Sequence, residues 1–228
     1  MNKKNDLRKE RKLKRIEANK LAILKAAEDV FVNKGYSLAT VDDIAEEAQF
    51  SKATLYRYFK SKDEIFYTIA LNSFKYTQAR MEDILTQNIN SEQKLKNVIQ
   101  FNFSFFHEKK NLVRVFFMEK SFLRKIFQID SLKQTGVPFP HPKLPSEFTA
   151  ISRDILHIMK KILEEGIQRK EFRPVNVENA VYVLTAMMRG FFFHGPIQVK
   201  EFNTEQSTEL LHDIFLNGIK INKEIDKE

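Results

Sequence analysis

The chain has 228 residues, 43% of them hydrophobic, with only six glycines and six prolines; a sizeable core can be buried, wholesale disorder is excluded, and so few breakers favour long helices over a many-stranded β fold. Its formal net charge of +8 suggests an anionic partner, and the lack of cysteine excludes disulfides, thiolate zinc sites and cysteine nucleophiles. The charged N-terminus is not a signal peptide, and no apolar run approaches the roughly 18–20 residues of a membrane span, so the expectation is a cytoplasmic protein with no membrane partner.

Lys3, Lys4, Arg8, Lys9, Arg11, Lys12, Lys14 and Arg15 crowd the start, against Asp6 and Glu10. Residues 1–12 read either as a disordered basic arm or as an extension of the first helix. Either way they are a solvated tail or an arm on DNA phosphates or the minor groove. From Ile16 to Asn33, Ile16, Ile23, Ala27, Val30 and Phe31 recur at helical intervals. Gly35 is a natural stop, because glycine accepts the left-handed conformation that ends a helix.

Thr40, with Asp43 three residues on, has the spacing of a capping box. The helix from Val41 to Ala48 gathers Val41, Ile44, Ala45 and Ala48 on one face. Gln49 and Phe50 turn the chain, and Ser51 caps the next helix by taking the orphan amide of Thr54. Leu55 and Phe59 face inward, which leaves Lys52, Thr54, Tyr56 and Tyr58 outward or at the rim. Ser61 with Glu64 repeats the capping spacing and opens a long helix, Lys62 to Thr86.

Further helices follow from Glu92 to His107 and from Leu112 to Ile129, broken at Lys109–Asn111. Gly136, Pro138, Pro140, Pro142 and Pro145 make residues 130–147 the clearest loop. Helical patterns resume over 148–169, 177–193 and 204–223. The fold class is all-α: a three-helix helix-turn-helix unit, then a larger helical domain, nine to ten helices in total.

The stretch Thr40, Val41, Asp43, Ile44, Ala45, Ala48, Ser51, Thr54, Leu55, Tyr56, Tyr58, Phe59, Ser61, Lys62 and Glu64 resembles the DNA-binding domain of the TetR family of bacterial transcriptional regulators. Ile23, Ala27, Phe31, Gly35 and Tyr36 match that family's first helix. Gln49 stands where a turn glycine is common, and Ala53 replaces a frequent glycine in the second short helix. Farther on, Leu163–Ile167 and Glu171–Pro174 are similar to the family's junction between two dimer-forming helices, with Lys170 in place of a glycine.

The resemblance implies a DNA-binding unit at 1–62 and a ligand-binding and dimerisation domain at 63–228. Thr40, Ser51, Tyr56, Tyr58 and Lys62 would approach phosphates, while Lys52, Ala53, Thr54 and Tyr56 would reach base edges. Thr40 and Ser51 are caps with or without DNA. Two copies, paired through helices near 148–169 and 177–193, would read a palindromic operator in double-stranded DNA. The alternative is that these helices only fill the monomer core.

Phe101, Phe103, Phe105, Phe106, Phe116, Phe117, Phe122 and Phe127 exceed what single helix faces should bury. The resemblance implies a pocket here for a small apolar effector, with Phe101, Phe105, Phe116 and Phe122 as candidates; a filled aromatic core is the alternative. His107, His141, His157, His194 and His212 lack metal-ligand spacing. No nucleophile motif, phosphate-binding glycine loop or paired carboxylate is present, so no cofactor, metal site or enzymatic activity is expected. The function read from the sequence is an effector-released repressor, or else a DNA-binding regulator controlled by a protein partner.

Overall fold

Two tight, left-handed turns at non-glycine residues set the corners of this chain: Gln49 (φ 57°) and Lys170 (φ 58°). The computed structural model describes residues 3–118, 146–194 and 203–219. These form α1 (Lys3–Lys34), α2 (Val41–Glu47), α3 (Lys52–Tyr56), α4 (Lys62–Thr86), α5 (Ser91–Met118), α6 (Ser146–Gln168), α7 (Val177–His194) and α8 (Thr204–Ile219). The described residues are all-α, as expected, with eight helices among them against the nine to ten expected of the whole chain. Only Lys109 (φ −103°, ψ 18°) leaves helical geometry near the expected break, so two expected helices run as one kinked α5. The basic N-terminal stretch from Lys3 onward is helical and continuous with α1. The proline-rich 130–147 loop up to residue 145, the 119–129 end of the expected sixth helix, and residues 220–223 lie outside the described residues.

The described residues separate into two compact units. The first runs up to Ser73 and includes α5 from Asn111; the second holds Phe74–Lys110 and the described residues from α6 onward. In the first unit, α1 stops at Gly35 (φ 75°), whose N–H reaches the Phe31 carbonyl at 2.9 Å. The turn after α2 closes with two bonds: Gln49 N–H to the Glu46 carbonyl (3.0 Å) and Phe50 N–H to the Ala45 carbonyl (2.9 Å). That pattern satisfies the orphan carbonyls of α2 and forces Gln49 into the left-handed region at a cost of about 1–2 kcal/mol. Ile23, Ala27, Phe31, Ile44, Leu55 and Ile65 are fully shielded. Each large apolar side chain buried in this way stabilises the unit by about 1.5–3 kcal/mol. Phe66 packs edge-on against Phe31 (5.5 Å between centroids) and Phe116 (4.7 Å), and Tyr36 lies 4.5 Å from it.

The second unit has its own core, in which Leu95, Ile99, Phe103, Ile162, Leu163, Phe172, Leu184 and Leu211 are buried together. Its polar fastenings converge on the turn after α6. Lys170 N–H reaches the Ile167 carbonyl and Glu171 N–H the Gly166 carbonyl, the same double closure as at Gln49. The Glu171 carboxylate then caps α5 by accepting from Ser91 N–H (2.6 Å) and Glu92 N–H (3.3 Å). Lys94, nearly buried, donates to Glu165 at 2.9 Å, and Arg169 reaches the same carboxylate at 2.7 Å. Such a buried charge persists only because it is paired.

Candidate nucleic-acid interface

Local capping chemistry builds the helix-turn-helix. Thr40 Oγ1 accepts from Asp43 N–H (3.1 Å), and Asp43 Oδ2 accepts from Thr40 N–H (2.9 Å), so the capping box closes both ways. Lys34 Nζ adds a 2.7 Å contact to Asp43 Oδ1. These hydrogen bonds, the one from Lys34 foremost, hold the Asp43 carboxyl down at about 2. Ser51 Oγ accepts from Thr54 N–H at 3.1 Å and lies 2.8 Å from the Thr54 hydroxyl. At the start of α4 the Ser61 hydroxyl accepts from Glu64 N–H (3.1 Å), but Glu64 reaches back to Lys60 N–H (2.5 Å), one residue earlier than a reciprocal box would.

On this frame α3 exposes Ser51, Lys52, Ala53, Tyr56 and Arg57, while Leu55 and Phe59 are buried beneath. Thr54 and Tyr58 are half-buried at the rim. The exposed set presents one hydroxyl, one ammonium, one guanidinium and a phenol on a single short helix and its caps. That is a surface able to donate to phosphates and to base edges.

Besides the capping residues, three further candidates already have protein partners. Lys52 Nζ pairs with Asp42 at 2.8 Å, and Asp42 keeps the Lys52 ammonium more firmly protonated. Tyr58 accepts from Asn19 Nδ2 at 2.7 Å, across from α1. Lys62 Nζ donates to the backbone carbonyls of Tyr36 and Ala39, both at 2.7 Å. Asn19 and Asp42 therefore belong to the site although sequence reasoning passed over them. The available signal was an Asn on the inward side of an amphipathic helix, and an acid ten residues before a lysine of the reading helix.

In the second unit Phe101 and Phe105 come together with a residue not foreseen, Tyr76. The three ring centroids lie 5.9–6.0 Å apart, and all three rings keep some exposure. Phe116 is elsewhere, buried in the first unit against Phe66. Phe122 lies outside the described residues. Among the described residues no group of three or more His, Asp or Glu could hold a metal ion, and no helix is long and apolar enough to cross a membrane.

Comparison with known proteins agrees with this geometry. A family model for bacterial regulatory proteins of the tetR family matches residues 23–68, and one for the C-terminal region of QacR-like proteins matches residues 138–221. The HTH-type transcriptional regulator YdgC of Bacillus subtilis is 32% identical over 170 residues, 69% of this chain and 87% of that protein. The fatty acid metabolism regulator protein of Bacillus subtilis is 28% identical over 153 residues, 67% of this chain and 70% of its own length. Among solved structures, the regulator FadR of Bacillus subtilis in complex with stearoyl-CoA superimposes with a TM-score of 0.66 at 21% identity. That match covers 87% of this chain and 98% of the other, a likeness of fold alone.

Proposed function

The chain belongs to the TetR family of bacterial regulatory proteins, and from that premise we propose that it is a transcriptional repressor that binds a palindromic operator as a homodimer and is released by a small apolar effector. The observation that carries this reading is the capped, exposed α3, with Lys52, Ala53 and Tyr56 outward and Thr40, Ser51 and Tyr58 around it. Residues 1–62 are the DNA-binding part; residues 63–228 bind effector and pair the subunits. Thr40, Ser51, Tyr56 and Tyr58 grip phosphates, and Lys52, Ala53, Thr54 and Tyr56 meet base edges.

Pairing through α6 and α7 is supported by large side chains left in solvent there: Leu156 at 42%, Tyr182 at 68% and Val183 at 47% exposure. Two subunits facing each other across these helices would bury them. For the effector, an acyl chain is the class we favour. The Tyr76–Phe101–Phe105 group offers it an aromatic wall, and the relatives named for fatty acid metabolism and for stearoyl-CoA point the same way. Effector binding shifts the two heads only to the extent that it favours one spacing over the other.

The test is footprinting on the DNA flanking the chain's own gene, with and without a long-chain acyl-CoA. A two-fold-symmetric protected site that opens on adding the acyl-CoA is expected. Absence of any protected palindrome there or elsewhere would sink the repressor reading; protection indifferent to every acyl chain would sink the effector class alone.

A further inference from the structure

The charges on the first half of α1 are sorted by face. At 3.6 residues per turn, Arg8, Arg11, Lys12 and Arg15 fall within about 100° of arc, the spacing i, i+3, i+4, i+7. Asp6, Glu10 and Glu17 fall within about 40° on the opposite side. All four cations are exposed, and among the described residues none pairs with a carboxylate, whereas Lys14, off this stripe, pairs with Glu10 at 2.8 Å. A merely solvated helix tends to intersperse its signs so that i, i+4 pairs form. Here the pairing is confined to one side and the other is left uniformly cationic.

The stripe has a direction. Asn19 is the next residue along it, one turn beyond Arg15, and Asn19 donates to the phenol of Tyr58 at the end of the reading head. The cationic face therefore runs into the helix-turn-helix. From Asn19 back to Arg8 the helix covers about 16 Å, close to five base-pair steps at 3.4 Å each.

We propose that this face of α1 is a second DNA-binding surface, which lies on phosphates outside the half-site read by α3 and lengthens the footprint of each head by about five base pairs. It rests on the repressor reading above. Its contacts are to phosphate, so they add affinity and salt dependence without sequence preference. An anionic membrane is the competing partner, and the helix is poorly built for it. The exposed leucines Leu7, Leu13 and Leu21 share their side of the helix with Asp6, Glu10 and Glu17, so no apolar face exists to enter a bilayer.

The experiment compares the full chain with a variant carrying Arg8→Gln, Arg11→Gln, Lys12→Gln and Arg15→Gln. The probes are a duplex recovered by in vitro selection with the full chain, trimmed to the core that the four-substitution variant protects, and the same core with about ten unrelated base pairs added on each side. The unaltered chain is expected to bind the long duplex at least ten-fold more tightly than the short one. The variant should bind both with the unaltered chain's short-duplex affinity. Its log-affinity against log-salt slope on the long duplex should be shallower by about 0.9 for each phosphate that the stripe no longer neutralises. Equal binding of long and short duplexes by the unaltered chain overturns the arm and leaves the repressor reading standing. So does binding to phosphatidylglycerol vesicles, removed by the four substitutions, without a length effect on DNA. Failure to recover any duplex overturns the repressor reading, and the arm with it. Glutamine keeps helix propensity high, and an unchanged helical circular dichroism signal checks that the variant folds.

Discussion

The ammonium of Lys62 stands 4.5 Å above the ring of Tyr36 and 2.7 Å from that residue's own carbonyl oxygen. A third contact, to the Ala39 carbonyl, ties the segment before α2 to the first turn of α4. The sequence made Lys62 a phosphate-seeking charge; the geometry gives it a prior, internal duty. Lys62→Met keeps the stem but leaves both carbonyls without their donor. It should destabilise the chain by about 1–3 kcal/mol, read as a lower urea midpoint at unchanged slope. An unchanged midpoint with weakened duplex binding would return Lys62 to the phosphate role alone.

Asp42 and Lys52 are both exposed and 2.8 Å apart, so the pair itself contributes little to stability. Its consequence is for binding. A carboxylate beside the first residue of α3 repels the DNA backbone and holds an ammonium that would otherwise reach it. Asp42→Asn is expected to raise affinity for duplex DNA several-fold and to steepen the salt slope by about 0.9, the mark of one additional neutralised phosphate. Titrations in 50–200 mM salt measure both, and identical slopes would show that Lys52 stays clear of phosphate.

Where the sequence was legible, a local rule decided the structure. Thr40, Ser51 and Gly35 act through neighbours three or four residues away, so spacing alone locates the caps and the stop. The left-handed turns at Gln49 and Lys170 were readable for the same reason: both stand where the family resemblance places glycine. What stayed hidden is long-range. Asn19 meets Tyr58 across 39 positions, Lys62 meets Tyr36 across 26, and Tyr76 joins Phe101 and Phe105 only once α4 and α5 are packed. Phe116 was grouped with Phe101 by composition, yet the two belong to different units, and Phe116 packs on Phe66 instead.

Gly166 admits no side chain. A Cβ there would sit 2.2 Å from Cδ2 of the buried Phe172 ring, which follows the turn at Lys170. Gly166→Ala forces that ring out of its place and should cost about 1–3 kcal/mol, an overpacking penalty. Lys170→Gly acts the other way: it relieves a left-handed lysine and should raise stability by about 0.5–1 kcal/mol. The two melting temperatures should therefore move in opposite directions, and a fall in both would contradict the strain assigned to Lys170.

Asp43 gives the first unit an acid dependence. Its carboxyl is held at about 2, against an ordinary 3.8, chiefly by the hydrogen bond from Lys34 and by the Thr40 amide. A depressed folded value means that the unfolded chain takes up the proton first. The stabilisation is thus whole above pH 4 or so and is lost as pH falls through the folded value near 2. Melting temperature measured between pH 5 and pH 2 should fall less steeply in Asp43→Asn than in the unaltered chain. Parallel curves would remove Asp43 from the account.

His212 sets a second dependence, nearer neutrality and in the other unit. Burial foremost pushes its imidazole below 6.5, helped by Lys96, while the Glu92 backbone and the Glu92 and Glu209 carboxylates oppose the shift. Its Nε2 is buried and has no hydrogen-bond partner among the described residues, so a proton arriving there would meet no acceptor. The lowered folded value means that unfolded His212 binds its proton more readily. The stability it supports is complete above about 6.5 and declines as pH falls below that. Lys96 and Glu209 pair with each other at 2.6 Å, so they largely offset one another at the ring and leave desolvation in control. His212→Leu fills similar space without a titrating group. Urea unfolding at pH 7.5 and pH 5.5 should show a stability loss in the unaltered chain that shrinks in the variant. Should both lose equally, the acid sensitivity belongs to another group and the buried imidazole is only packing.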